Sequence, residues 1–457
     1  MKSPFGHIRR IAIILFVFLR LSNAFLKIPF FDYLSAVVLL FVILQNVPTL
    51  DKVTRNVVMI LFLGGILALF IADVSFAVWL NAWLKNANIV TMLICMPMMS
   101  MPFFYEDYQS ELKVVAQEKM QTILGFCLLT SICTHLLGVM ITVGTIAIIY
   151  DLLSPHAKLY NAEDTFLSTL LRSYSTSGFW SPAWTSMVLV NTYLEVSWLS
   201  LIPIGVLFSA LFIAMDLGTV AWKMHRQPQR FPRLHKEEGE EIRWRKINTM
   251  LLLAAALIGL IVLGNLFTSW SPMTIIPLVS IIFPFLAALV QGHLPAYQAE
   301  MNKFYQKSLL KVQTQCALYT AAGFLGVALE AAGVGALIPR LIPHWFMSYP
   351  ALMIGTLLIL LILPALGGIH PAVTITVLLS TVTPQVLGLD NMSMALTMLT
   401  GCLMGTCYSP LTSSSLILSS LCGRPSWELG PGLNKTFGPA SILAFSVLIA
   451  FFGPLLA

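Results

Sequence analysis

Charge is scarce in this chain. Of its 457 residues only 10% are Asp, Glu, Lys or Arg, against roughly 25% in a soluble globular protein. So little polar surface cannot cover a water-exposed globule of 50.4 kDa. Cysteine is sparse as well. Cys95, Cys127, Cys133, Cys316, Cys402, Cys407 and Cys422 show no CxxC spacing and fall mostly in apolar stretches. That pattern excludes a disulfide scaffold and argues against a thiolate metal site. No GxSxG, HExxH or Walker A motif occurs, so no enzyme centre and no ATP site are expected. Lys2, Arg9 and Arg10 precede an apolar run from Ile11 to Leu19, as in a signal peptide. No small-residue cleavage site follows, and Arg20 interrupts the run. The segment reads as an uncleaved first helix, amphipathic or short.

Apolar residues fill the space that charge leaves. Hydrophobic side chains make up 58% of the chain, and mean hydropathy is +0.85. The composition predicts an all-α polytopic membrane protein. At about 20 apolar residues per span, there is room for roughly 10–11 transmembrane helices. Net charge is +6, yet eight of the 26 basic residues sit in one stretch: Lys223, Arg226, Arg230, Arg233, Lys236, Arg243, Arg245 and Lys246. Such clustering marks a cytoplasmic loop facing anionic lipid rather than a nucleic-acid surface. The chain then divides into an N-terminal interfacial segment 1–33, a first transmembrane repeat 34–219, a basic loop 220–247 and a second repeat 248–457. A multi-pass protein of the plasma membrane (a bacterial inner membrane) is expected. Membrane lipids surround such a protein, and spans such as 248–293 are candidates for a homodimer scaffold.

Breaks in the apolar text carry the functional information. The stretch 163–194 is interrupted at Ser177-Gly178-Phe179-Trp180-Ser181-Pro182. The stretch 348–388 is interrupted at Pro364-Ala365-Leu366-Gly367-Gly368-Ile369-His370-Pro371. In lipid, backbone freed by Gly and Pro is tolerated only where protein or a water-filled cavity re-satisfies it. Both stretches therefore read as re-entrant hairpins. Residues 178–185 align without a gap against 367–374, with Gly, Pro, Ala and Thr in common. Charged, aromatic-flecked segments at 105–119 and 297–311 precede them in the same order. Two related halves with broken helices point to a secondary transporter. The even number of spans counted between the two amphipathic segments puts both on one side, whereas inversion requires an odd number.

A third break lies within 390–421, at Thr406-Cys407-Tyr408-Ser409-Pro410-Leu411-Thr412-Ser413-Ser414. Unwound carbonyls can ligate a cation, and the next helix N-terminus offers N–H groups to an anion. Serine and threonine also bond back to their own helices in membranes. The expected substrate site comprises Ser177, Gly178, Ser181 and Thr185 from the first break and Gly368, His370 and Thr374 from the second. Thr406, Ser409, Thr412, Ser413 and Ser414 complete it from the third. Ionisable residues at membrane depth are costly and usually functional. Glu330, Asp73 and His135 are the candidates for ion coupling, although a histidine in the place of His135 is more often a satisfied core residue. Arg172, Glu195 and Asp216 are read as segment-end residues whose charges snorkel to the head groups. No cofactor is expected beyond a sodium ion or proton as the coupling ion.

Two halves, each with an amphipathic helix and a re-entrant hairpin, plus a span broken at a hydroxyl-rich motif, resemble the ion-transporter superfamily. That group includes citrate, dicarboxylate, gluconate and arsenite permeases and sodium/proton antiporters. The resemblance covers most of 34–457 as architecture. It implies a substrate site between the hairpin tips and an elevator-like or rocking motion. The dicarboxylate members carry Ser-Asn-Thr at these tips, and this chain has no asparagine there. Trp180 and Ser181 at one tip, with Ile369 and His370 at the other, suit a weakly charged organic acid or a similar small polar solute. Two other readings stay open: a cation/proton antiporter, and a non-transporting protein of lipid handling or assembly.

Overall fold

The computed structural model describes residues 4–106, 108, 122–141, 143–227, 244–337 and 342–456. The amphipathic segment expected at 105–119 and the centre of the basic loop fall largely outside them. Among the described residues every regular element is helical, and the chain is a multi-pass membrane protein. Among the described residues eight helices are long and apolar enough to span, or nine if the bent pair Leu294–Lys311 and Gln313–Ala331 counts as one. The count falls short of ten because the most informative helices are interrupted and their pieces are short.

The first part of the chain forms a supporting layer. It consists of α1 (Pro4–Leu26), α2 (Pro29–Asn46), α3 (Lys52–Ile71), α4 (Phe76–Leu84) and α5 (Ala87–Cys95). Proline at the first turn starts α2, where its missing N–H costs nothing. Asp51 caps α3 by accepting from Thr54 N at 3.0 Å. The Thr54 bonds hold the Asp51 carboxyl below its usual range.

A first set of broken elements follows. These are α6 (Ile123–Ile141), α7 (Gly144–Leu159), α8 (Glu163–Thr176), α9 (Thr185–Leu194) and the long α10 (Trp198–Arg226). Next come α11 (Trp244–Phe267), α12 (Pro272–Gln291), α13 (Leu294–Lys311) and α14 (Gln313–Ala331), the last lying along α3. A second broken set closes the chain: α15 (Pro350–Leu366), α16 (Pro371–Thr381), α17 (Asn391–Tyr408), α18 (Ser413–Cys422) and α19 (Phe437–Leu456).

The two broken sets interlock reciprocally. Helix α9 packs on α16 and α17, while α18 packs on α7 and α8. Asn391, at the start of α17, donates to Leu194 O at the end of α9 (3.1 Å). Arg424, just past α18, pairs with Asp164 at the start of α8 (2.5 Å). The broken helices α8–α9 and α17–α18 therefore run antiparallel, each ending where the other begins.

Both breaks are closed by the same bonds. Ser181 donates to Val139 O near the end of α6 (2.8 Å) and accepts from Ala183 N (3.1 Å). Ser409 donates to Ala365 O near the end of α15 (2.6 Å) and accepts from Leu411 N (3.1 Å). In space the break at 177–184 thus matches the break at 409–412. The sequence alignment had paired it with 367–374. The spatial match is carried by Ser-Pro in both breaks, followed by Thr185-Ser186 in one and Ser413-Ser414 in the other.

A buried ion pair within the first half is bonded in turn to the second. Arg172 on α8 and Asp216 on α10 are 4% and 1% exposed and meet at 2.5 Å. Arg172 also donates to Asn434 Oδ1 (2.8 Å) and Leu433 O (3.0 Å), and lies 3.9 Å over the Phe437 ring. Thr169 satisfies the other Asp216 oxygen at 2.8 Å. The expectation that Arg172 and Asp216 snorkel to the head groups is corrected here. Partners from three elements bury both charges, which a lone charge would not permit. Glu195 does sit at a helix end, exposed and with φ +55°. Breaking a buried pair costs about 3–5 kcal/mol, whereas an apolar replacement of both partners is close to neutral. Arg172→Ala is expected to lower the melting temperature of the purified protein sharply. The double change Arg172→Met with Asp216→Leu is expected to restore much of the loss, read by thermal denaturation.

Candidate functional site

Every break ends in a new helix, and the new helices begin at one place. A cavity of about 180 Å³ is lined by Val143, Thr185 and Ser186, His370, and Thr412, Ser413 and Ser414. That volume admits on the order of ten waters. These residues are the N-terminal ends of α7, α9, α16 and α18 respectively. Four helices thus present their N-termini to a single space. Each carries about half a positive charge there, from N–H groups that have no partner within the helix.

Among the described residues no Asp, Glu, Lys or Arg lines the cavity. The positive character that these residues give it comes from backbone. Tyr174 on α8 and Trp184 lie with ring centroids 5.2 Å apart and form one wall. Leu93, Met96 and Pro97 from the supporting layer form another, and Cys402 and Thr406 on α17 line it too. Ser186 is 1% exposed, and the partner its hydroxyl finds is the weakly bonding Cys402 thiol on α17. A buried hydroxyl so weakly met beside a cavity is a group that a ligand would satisfy better.

His370 caps α16 by accepting from Ala372 N through Nδ1 (3.3 Å). That bond fixes the neutral tautomer and leaves Nε2–H as the ring's donor. Thr412 donates to Thr406 O at 3.0 Å and lies 3.0 Å from the Ser414 hydroxyl. Ser415 donates to Ser409 O at 2.7 Å. The freed carbonyls of this break are therefore met by its own hydroxyls.

Six of the residues expected in the substrate site line the cavity: Thr185, His370, Thr406, Thr412, Ser413 and Ser414. The other six lie outside its lining. Ser177 donates to His135 O at 3.0 Å, and Ser181 and Ser409 make the paired bonds described above. Gly178 lets the break press against α17; a Cβ there would sit 2.6 Å from Leu403 and Trp184. Gly368 turns the chain at φ +93°, a conformation that favours glycine. Thr374 sits on α16, half-buried.

The three ionisable candidates lie apart from the cavity lining. Asp73 is exposed in the turn after α3, with φ +46°. Glu330 is exposed one residue before the end of α14. His135 accepts from Trp180 Nε1 at 3.0 Å through Nε2 and meets the Thr176 hydroxyl at 2.8 Å through Nδ1. Thr176 gives its own proton to Ser173 O, so Nδ1 carries the donor and both ring nitrogens are occupied. His135 is the staple of the first break.

Tyr174, Trp184, Cys402 and Gln315 also line the cavity and were not among the residues expected. Cys402 lies one helical turn before Thr406, so the i, i+4 rule connects the two. Tyr174 and Gln315 carry no comparable signal, because their neighbours in sequence face protein.

The elements that frame this cavity define a class: an all-α, polytopic membrane protein with broken helices meeting at the centre. Among solved structures, that fold is shared by the YdaH transporter of Alcanivorax borkumensis, whose crystal structure is reported to reveal an unusual topology. The match has a TM-score of 0.50 at 12% identity, and covers 83% of this chain and 88% of that one. No family model matches the sequence, and neither does any curated protein.

Removing the His135 ring would leave the Trp180 N–H unpaired, at a cost of about 1–3 kcal/mol. His135→Ala is expected to lower thermal stability by that order. His135→Gln, which keeps an acceptor and a donor, is expected to lower it less, as read by thermal denaturation of both variants side by side.

Proposed function

We propose that this chain is a secondary transporter that moves a small, weakly charged organic anion across the plasma membrane, driven by a proton or sodium gradient. The observation that carries the reading is the meeting of four helix N-termini at one cavity that no charged side chain lines among the described residues. Half-helix N-termini aimed at an anionic group are the usual substrate device of transporters with broken helices. Each N-terminus contributes about 0.3–1 kcal/mol, up to ~2 where water is excluded. Several acting together hold one carboxylate without an arginine clamp. A second or third charge on the solute would find no fixed cation to meet it.

The hydroxyls of Thr185, Ser186, Ser413 and Ser414 and the Nε2–H of His370 supply donors around that carboxylate. Tyr174 and Trp184 suit a planar or apolar remainder. The antiparallel broken helices, closed by matched Ser-Pro bonds, support a two-fold internal repeat of inverted sense. In this reading the repeat runs from 123–226 to 350–456. The central basic loop lies in the cytoplasm. The cavity lies between the broken elements and Leu93, Met96 and Pro97 of the supporting layer. An elevator-like or rocking displacement of one against the other would carry the solute.

A thermal-shift screen of organic acids on the purified protein finds the ligand, and uptake into proteoliposomes under imposed pH or sodium gradients shows transport. Ser413→Ala is expected to weaken binding about fivefold, the value of one hydrogen bond near 1 kcal/mol, and His370→Ala to weaken it similarly. Ser413→Asp places a carboxylate where the anion belongs and is expected to abolish binding. Tighter binding by Ser413→Asp would mean a cationic solute and would overturn the proposal.

A further inference from the structure

A second pair of cavities, whose lining shares no residue with the central one, lies at the ends of three spans. Their volumes are about 380 and 440 Å³, and they share Ala24, Lys27 and Asn88. They sit where α1 ends, α2 begins, α11 ends and α12 begins. Since α11 starts at Trp244, just past the basic loop, its far end at Phe267 places these cavities on the opposite membrane face.

The charged side chains lining them are Arg20, Lys27 and Asp32. Arg20 is fully engaged. It pairs with Asp32 at 2.6 Å and donates twice to Asn88 Oδ1, at 3.2 and 2.8 Å. Asn23 also donates to Asp32 at 2.9 Å and accepts from Ile28 N at 2.8 Å. That bonding fixes the turn between α1 and α2 and holds Lys27 in the left-handed region, at φ +52°. A lysine pays a conformational cost to stand there. Among the described residues, its ammonium is the one charge of the three with no hydrogen-bond or ion-pair partner.

The second cavity sets Lys27 beside the hydroxyls of Ser269 and Ser271 and the indole of Trp270. Trp270 and Phe25 meet edge to face at 4.9 Å and are both about half exposed. Leu26, Leu266 and Phe267 beside them are 59%, 61% and 81% exposed. A free cation, hydroxyl donors, an interfacial tryptophan and an apolar rim occur together here. A free soluble anion would use the first two and leave the rim idle. A phospholipid uses all four, with the phosphate at Lys27 and the acyl chains along the rim.

We propose that this face binds an anionic phospholipid, with the Lys27 ammonium on its phosphate and Trp270 at the level of its glycerol. The site is independent of the transported solute. The test uses the full-length protein in detergent, supplemented with phosphatidylglycerol or phosphatidylcholine at equal mole fraction. Thermal denaturation and native mass spectrometry read stability and bound lipid.

Phosphatidylglycerol is expected to stabilise the wild type more than phosphatidylcholine, and to be retained about fivefold in preference, the value of one lysine at a membrane surface. Lys27→Gly suits the left-handed backbone and is expected to fold normally, yet lose the preference between the two lipids. Lys27→Arg is expected to keep it, and Trp270→Ala to weaken both lipids alike. Equal effects of the two lipids on the wild type would overturn the proposal, as would a preference that survives Lys27→Gly. Inorganic phosphate reproducing the stabilisation would also overturn it, by assigning the site to a free anion.

Discussion

A helix interrupted within a bilayer exposes backbone N–H and C=O groups where no water can reach them, and every such group must find a partner in the protein. That constraint shapes the centre of this molecule. The breaks at 177–184 and 409–412 each hold one serine that reaches back to the last carbonyls of a neighbouring helix end and folds forward onto its own backbone. His135 gathers Trp180, Thr176 and Ser177 into the first break, and Thr412 and Ser415 close the one at 409–412. Carbonyls that these two breaks free are thereby met. The N–H side of the new helices remains, and it faces the cavity.

An asymmetry of this kind has an electrostatic result. A site with lysine or arginine would bind its anion tightly and would have to desolvate a fixed charge whenever it stood empty. Helix N-termini hold partial charges on rigid backbone, so the empty site stays neutral in formal charge. Under the function proposed above, a solute bound this way would be held by several modest terms, and modest binding suits a site that must also release. The Arg172–Asp216 pair is a buried charge too. It is saturated by Thr169, Asn434 and Leu433 and sits outside the cavity lining.

The membrane class was legible from composition, and the breaks were legible from Gly, Pro, Ser and Thr. Which breaks correspond was not. Gly367–Thr374 resembles residues 178–185 in letters, while Ser409–Ser414 shares with Ser181–Ser186 the bonds that count. A hydroxyl's role depends on what lies opposite it, and sequence does not show the opposite helix. Ser181 and Ser413 looked alike, yet one staples a helix end and the other faces open space. Burial explains Arg172 and Asp216 in the same way. Each stands near a polar segment and looks like a surface residue until a partner 44 positions away is brought to it.

The antiparallel run of the two broken helices has a thermodynamic consequence. Exchanging the parts played by the two halves would give an arrangement held by the same kinds of bonds but opening on the other side. Conformers assembled from equivalent bonds lie close in free energy, within the few kcal/mol that keep a minor state populated. Near-degeneracy of that kind means no large input is needed to pass from one to the other. A ligand's differential affinity, even a small one, is then enough to tip the balance.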